Sequence, residues 1–193
     1  MDIISIEQLK SELSSYKNPD DEINRMRKNK ELFRICDGIY TKDRHMIPDV
    51  ALSFICTPSY VSFEDALSRY DLIPEYVPVC AAATYGKPDG ITIYKNDFGY
   101  YDFQNIPEKA FPYGIERYEY GGYYWNMAVP EKAICDILYI RKPLKDTDDV
   151  IGFLIEGMRI DEDDFNGLDK EKMKFFAGLY DRRNLKLLKE ALS

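Results

Sequence analysis

Ala128-Val129-Pro130-Glu131-Lys132-Ala133-Ile134-Cys135-Asp136-Ile137-Leu138-Tyr139 reads as a strand end running into a helix. Pro130 suits the first helical turn, where the N–H needs no intrahelical partner, and Glu131 sits where the helix dipole favours an anion. Ala133, Ile134, Ile137 and Leu138 then recur at the i, i+1, i+4, i+5 spacing of a buried helical face. This helix is expected at the centre of the larger core, and the rest of the chain can be read outward from it.

Just upstream, Ile115 to Tyr120 and Tyr123 to Ala128 surround Gly121-Gly122 as a hairpin. Ile91-Thr92-Ile93-Tyr94 and Tyr100-Tyr101-Asp102-Phe103 flank Asn96-Asp97-Phe98-Gly99 as another. Tyr76 to Ala83 is an apolar run of strand length, and Gly86-Lys87-Pro88-Asp89-Gly90 is turn chemistry. Further back, Pro48 to Cys56 reads as a short helix, and Ser62 caps another that carries Ala66, Leu67 and Tyr70. From about Lys145 onward the chain reads helical, with Met173, Phe176 and Tyr180 on one stripe and Leu185, Leu188 and Leu192 on another. Residues 46–193 are thus expected to form an α+β domain of antiparallel hairpins and helices.

The first 45 residues differ in character. Ser5-Ile6-Glu7-Gln8 is a capping box. Asn18-Pro19-Asp20-Asp21-Glu22 starts a second helix with an Asn cap, proline at the first position and acids in the first turn. That helix is expected to run to about Lys30 with Ile23 and Met26 inward. Steps of about 100° bring Arg27 and Lys30 near the same inward face and turn Asn24, Arg25 and Lys28 outward. Asp37-Gly38, between Leu32–Cys36 and Ile39–Lys42, predicts a hairpin with a two-residue type I′ turn. Two helices followed by a tight hairpin predict a small N-terminal winged helix-turn-helix over residues 1–45, shortened by loss of its first helix.

Charge supports a boundary there. Residues 1–45 carry nine Lys/Arg and nine Asp/Glu, whereas the remainder holds 17 basic and 25 acidic residues and so the whole net charge of −8. Such a chain does not coat nucleic acid indiscriminately, but a local basic face remains possible because phosphates are met by a face rather than an average. On the second helix, Asn24, Arg25 and Lys28 are the residues that would meet base edges, since Arg and Lys match guanine and Asn matches adenine. Arg34, Lys42 and Arg44, on or beside the wing, would hold phosphates. The acids Asp20, Asp21 and Glu22 on the same helix oppose that role.

Several chemistries are excluded. Cys36, Cys56, Cys80 and Cys135 are far apart and form no C-x-x-C pair, so neither a zinc site nor a secreted disulfide framework is expected. His45 is the single histidine and lies in a polar linker. Neither a P-loop, a G-x-G-x-x-G nor a nucleophile elbow is present. Asp161 to Gly167 fails as a calcium loop, because aligning Gly167 as its turn glycine puts Met173 where a bidentate Glu is required. Neither metal nor cofactor is expected, nor catalysis. No membrane span is expected, and Met1-Asp2-Ile3-Ile4 lacks the features of a secretory signal, so a cytoplasmic protein is expected. Adjacent aromatics on the hairpins must face both ways, which makes Tyr118, Tyr120, Tyr123 and Trp125 a candidate partner surface.

The chain resembles the abortive-infection AbiEi antitoxin family of type IV toxin–antitoxin systems. The resemblance runs from about Leu9 onward. It is carried by Pro58-Ser59-Tyr60-Val61-Ser62-Phe63-Glu64-Asp65-Ala66-Leu67, by Phe98-Gly99-Tyr100-Tyr101, by Ala128 to Tyr139, and by Gly38-Ile39-Tyr40 at the end of the wing. It implies an N-terminal winged helix that binds the promoter DNA of its own operon and a larger domain with antitoxin activity. The implied functional partner is a nucleotidyltransferase-like toxin, neutralised without a stable complex. The protein would be a monomer or, given two-fold operators, a dimer. The alternative is a protein-interaction adaptor without DNA binding, acting through its aromatic surface.

Overall fold

The computed structural model describes residues 2–75, 77–87 and 93–193. Within them the chain is α+β, as its patterning implies, with strands gathered into a three-stranded and a six-stranded sheet. Strand β1 (Ile3–Ser5), which the sequence pattern did not announce, leads into α1 (Ile6–Glu12) and α2 (Pro19–Lys28). The hairpin β2 (Phe33–Cys36) and β3 (Ile39–Thr41) follows, and β3 lies between β1 and β2, antiparallel to both. Helix starts are made as read. Ser5 Oγ accepts from the Gln8 N–H while Gln8 Oε1 accepts from the Ser5 N–H at 2.8 Å, and Asn18 Oδ1 accepts from the Asp20 N–H. Each cap satisfies an N–H that the helix leaves unpaired, worth about 1 kcal/mol. Ile4, Leu9, Ile23, Leu32 and Tyr40 close a small apolar cluster over this sheet.

Two expectations for this segment are corrected. Helix α2 ends at Lys28, and Lys30 takes a left-handed φ of 58°, which stops the helical periodicity. Ile23 is the buried residue of α2 and Met26 is half-buried, while Arg27 and Lys30 are exposed rather than inward. The Asp37-Gly38 turn is not type I′, because only Gly38 has a left-handed φ, of 74°. The ladder instead shifts register between Arg34 and Cys36, so a bulge takes up the twist. The type I′ geometry occurs in the other hairpin, where Gly121 and Gly122 have φ of 58° and 81°.

The six-stranded sheet runs in the order β6-β7-β5-β4-β9-β8: β4 (Ser59–Val61), β5 (Val79–Thr84), β6 (Ile93–Asn96), β7 (Gly99–Asn105), β8 (Ile115–Tyr120) and β9 (Tyr123–Ala128). Both expected hairpins, β6–β7 and β8–β9, are present. The sheet is not purely antiparallel, however, since β5 pairs parallel with β7 and β4 parallel with β9. Short β4 is the seam that joins the two hairpins through β5. The first half of the expected run from Tyr76, the turn at Pro88-Asp89-Gly90 and the strand start Ile91-Thr92 include residues outside those described.

Helices α3 (Pro48–Ile55) and α4 (Phe63–Arg69) pack on this sheet, and α5 (Pro130–Ile140) follows β9. After it come α6 (Thr147–Gly152), a π-helical turn (Phe153–Gly157), α7 (Glu162–Gly167), α8 (Lys170–Ala177) and α9 (Arg183–Ala191). Asp161 caps α7, so the acids there form a helix's first turn. Helix α5 is packed by α4, α8 and α9 as well as β9, and therefore buries every residue from Glu131 to Leu138. The apolar stripe expected for it is in place. What its periodicity hid is a fully buried ion pair, Lys132 Nζ to Asp136 Oδ1 at 2.8 Å. Asp136 also accepts from Tyr60 Oη at 2.9 Å, Ser62 Oγ at 2.7 Å and Tyr180 Oη. The Ser62 hydroxyl, expected to cap α4, is thus given to a buried carboxylate, which costs more to leave unpaired than a helix end does. No helix among the described residues is long and apolar enough to cross a membrane.

Candidate nucleic-acid interface

The six cations and amides expected to meet DNA do not share one face. Asn24, Arg25 and Lys28 lie on the exposed side of α2 beside Asp21 and Arg27. Arg25 is held by two carboxylates, with its guanidinium 2.6 Å from Glu22 and 3.2 Å from Glu31. These hydrogen bonds hold the arginine's pKa above its ordinary value. The Arg25 hydrogen bond holds Glu22 below the ordinary carboxylate value, and those from Asn29 and then Arg25 do the same for Glu31. Arg34 turns its guanidinium back onto Asp37 across the hairpin. Lys42, just after β3, is paired with Glu12 of α1 at 3.3 Å.

Lys28 and Arg44 do converge, and with residues the periodicity assigned inward. A surface groove at the end of α2 is lined by Arg27, Lys28, Lys30 and Arg44, floored by Leu32 and Phe33, and bordered by Asp97 from the β6–β7 turn. None of these four cations forms an ion pair among the described residues. Four cations outside any ion pair gathered on one groove, with Asp97 as its one lining carboxylate, make the most basic grouping on this segment. The signal for Arg27 and Lys30 was the narrowness of the buried stripe. With Ile23 alone fully buried, α2 lies on the surface and offers most of its circumference to solvent.

The aromatic candidates are placed differently from the expectation. Register pairs Tyr118 with Trp125 and Tyr120 with Tyr123, so all four rings share the face of the β8–β9 hairpin that looks inward. Tyr118, Tyr123 and Trp125 are half-buried against the large core. Tyr118 stacks on Trp125 with ring centroids 5.6 Å apart, its hydroxyl 2.9 Å from Tyr70 Oη, and Tyr123 Oη accepts from the Ile3 N–H. These three pack against the large core, and the two tyrosine hydroxyls find partners there, whereas the buried Trp125 Nε1 has no hydrogen-bond partner among the described residues. Tyr120 is exposed at the rim, as is Tyr124 on the opposite face, where Arg117 lies 3.8 Å from its ring centroid.

His45 is exposed, as expected for a linker, and Cys56, Cys80 and Cys135 are buried free thiols while Cys36 is half-buried. Among the described residues no group of His, Cys, Asp and Glu is arranged to hold a metal ion. Compared with known proteins, the chain matches no family model and no curated sequence.

Proposed function

We propose that this chain is a non-catalytic, antitoxin-like transcriptional regulator that binds the promoter of its own operon through the segment ending near residue 45. The observation that carries the reading is the convergence of Arg27, Lys28, Lys30 and Arg44 on one groove in a chain whose net charge is −8. The connectivity around it supports a shortened winged helix: two helices precede a hairpin whose inner strand also pairs with a strand ahead of them. Acids Asp20, Asp21 and Glu22 occupy the first turn of α2, so the duplex approaches the C-terminal half of that helix. The larger domain is assigned the antitoxin role toward a nucleotidyltransferase-like toxin. The adaptor alternative has weaker support, since three of its four rings are packed against the large core and only Tyr120 is exposed.

Mobility shift of the full chain on the region upstream of its own gene tests the DNA half. Wild type is expected to bind with a log K against log salt slope of about −3 to −4, as for three or four neutralised phosphates. The triple variant Arg27→Ala, Lys28→Ala, Arg44→Ala is expected to lose specific binding, and equal binding by the two overturns the assignment. Growth rescue during expression of an adjacent nucleotidyltransferase-like gene tests the other half.

A further inference from the structure

The wall of the cationic groove does not belong to the small sheet. It is the β6–β7 turn of the six-stranded sheet, and two consecutive side chains of that turn grip the outer edge of β2. Asp97 Oδ2 accepts from the Arg34 N–H at 2.6 Å, and Asn96 Nδ2 donates to the Ile35 carbonyl at 2.9 Å. Asn96 Oδ1 meanwhile accepts from the N–H groups of Phe98 and Gly99, which fixes the turn that presents Asp97. Those backbone groups are available because β2 is the edge strand of its sheet. The register shift between Arg34 and Cys36 takes Ile35 out of the ladder and turns its side chain into the large core, where it is completely buried. The rings of Phe33 and Phe98, 6.0 Å apart, continue the joint to the floor of the groove.

We propose that Asp97 is a positioning residue for the nucleic-acid face, through which the larger domain governs DNA binding by the smaller segment. The proposal rests on the phosphate-binding reading of the groove. Asp97 acts in two opposed ways there. Its carboxylate places a negative charge at the mouth of the groove, which repels phosphate. The same carboxylate anchors β2, and so holds Phe33 and the end of α2 in the arrangement that lets the four cations converge. A movement of the β6–β7 turn would release β2 and disperse them, so a ligand that shifts this turn also shifts DNA affinity.

Two substitutions in the full chain separate the roles. Asp97→Asn removes the charge and keeps a carbonyl acceptor for the Arg34 N–H, whereas Asp97→Ala removes both. With a labelled duplex from the upstream region, Asp97→Asn is expected to bind about two- to threefold more tightly at low salt, the scale of one screened surface charge. Asp97→Ala is expected to bind about tenfold more weakly than Asp97→Asn, as loss of one charge-assisted anchor predicts, and with a shallower salt slope. Amide hydrogen exchange at Arg34 reads the anchor without DNA: protection is retained in Asp97→Asn and lost in Asp97→Ala. Equal affinities for the two variants, or unchanged Arg34 exchange in Asp97→Ala, overturn the positioning role. If the Arg27, Lys28 and Arg44 triple variant binds like wild type, or wild type binds no duplex, the groove is not a phosphate site and both readings fall.

Discussion

Replacing Asp136 with alanine removes the acceptor on which four side chains from three segments of the chain are organised. In the native chain its carboxylate takes the Lys132 ammonium at 2.8 Å, Tyr60 Oη at 2.9 Å, Ser62 Oγ at 2.7 Å and the Tyr180 hydroxyl, all with Lys132 and Asp136 wholly out of solvent. Breaking a buried ion pair from one side costs about 3–5 kcal/mol, because the remaining charge has neither water nor a counter-ion. Three hydroxyls lose their acceptor as well, at about 1 kcal/mol each where rotation finds no substitute, so the upper end of that range is expected. At a urea slope of about 2 kcal/mol per molar, the unfolding midpoint falls by roughly 2 M. The control is Lys132→Met, Asp136→Leu, which removes both charges at similar volume and leaves only the hydroxyls unsatisfied. It is expected to recover at least half of the loss, since well-packed apolar pairs often replace buried ion pairs at little cost. Urea unfolding followed by far-ultraviolet circular dichroism reads both. A single variant within about 1 kcal/mol of wild type, or a double variant no better than the single, would refute the claim that the loss comes from leaving the Lys132 charge buried without a partner.

Gly38→Val forces a β-branched side chain into a left-handed backbone, where its Cβ would lie 3.6 Å from Ile6 Cγ2; a loss of at least about 1–2 kcal/mol in urea unfolding is expected from the backbone alone. Arg25→Ala is expected to weaken duplex binding less than Lys28→Ala, because Glu22 and Glu31 already occupy the Arg25 guanidinium; Lys28→Ala should also reduce the salt slope by about 1, and the reverse ranking in anisotropy titrations counts against the groove. Burial and then the Asp136 charge push the ionisation of the Tyr60 and Tyr180 phenols well above the ordinary 10.0, and burial raises Tyr70 and Tyr101. Because the raised values belong to the folded state, their stabilising contribution is complete below pH 10.0 and is lost as pH climbs through the folded values. Tyrosinate absorbance should therefore stay at least four short of its 16-tyrosine total until alkaline unfolding.

Local chemistry was the legible part of this chain. Caps at Ser5 and Asn18, the β6–β7 and β8–β9 hairpins and the apolar stripe of α5 are each decided by a few neighbouring residues, and the structure carries them. Pairings between distant segments were not legible. Nothing near Val61 announces that it lies parallel to Met127, or that β5 will lie parallel to β7, because such pairings need crossovers whose ends are fixed only by the assembled core. The Lys132–Asp136 pair had a signal, an i, i+4 spacing of opposite charges on an otherwise apolar helix. That spacing ordinarily marks a solvent-facing pair, and only the enclosure of α5 by α4, α8 and α9 makes it a buried one.

The candidate site failed to be legible for a related reason. Helical periodicity divides residues between an inward and an outward side on the premise that half of the helix is covered. For α2 the cover is a small cluster of five buried residues, to which the helix contributes Ile23. Arg27 lies close to Ile23 in projection and is nevertheless exposed, and Lys30 is beyond the helix end in a left-handed turn. Arg25, on the side most open to a duplex, is neutralised by Glu22 and by Glu31, a residue beyond the helix that the wheel does not include. Net availability of a cation is therefore set by its carboxylate neighbours in three dimensions and not by its angle on a wheel. By that criterion the face moves from the middle of α2 to its C-terminal end, against β2 and the β6–β7 turn. A surface placed there is not separate from the larger domain, because Asp97 lines the groove and, with Asn96, hydrogen-bonds the backbone of β2, whose Ile35 is buried in the large core.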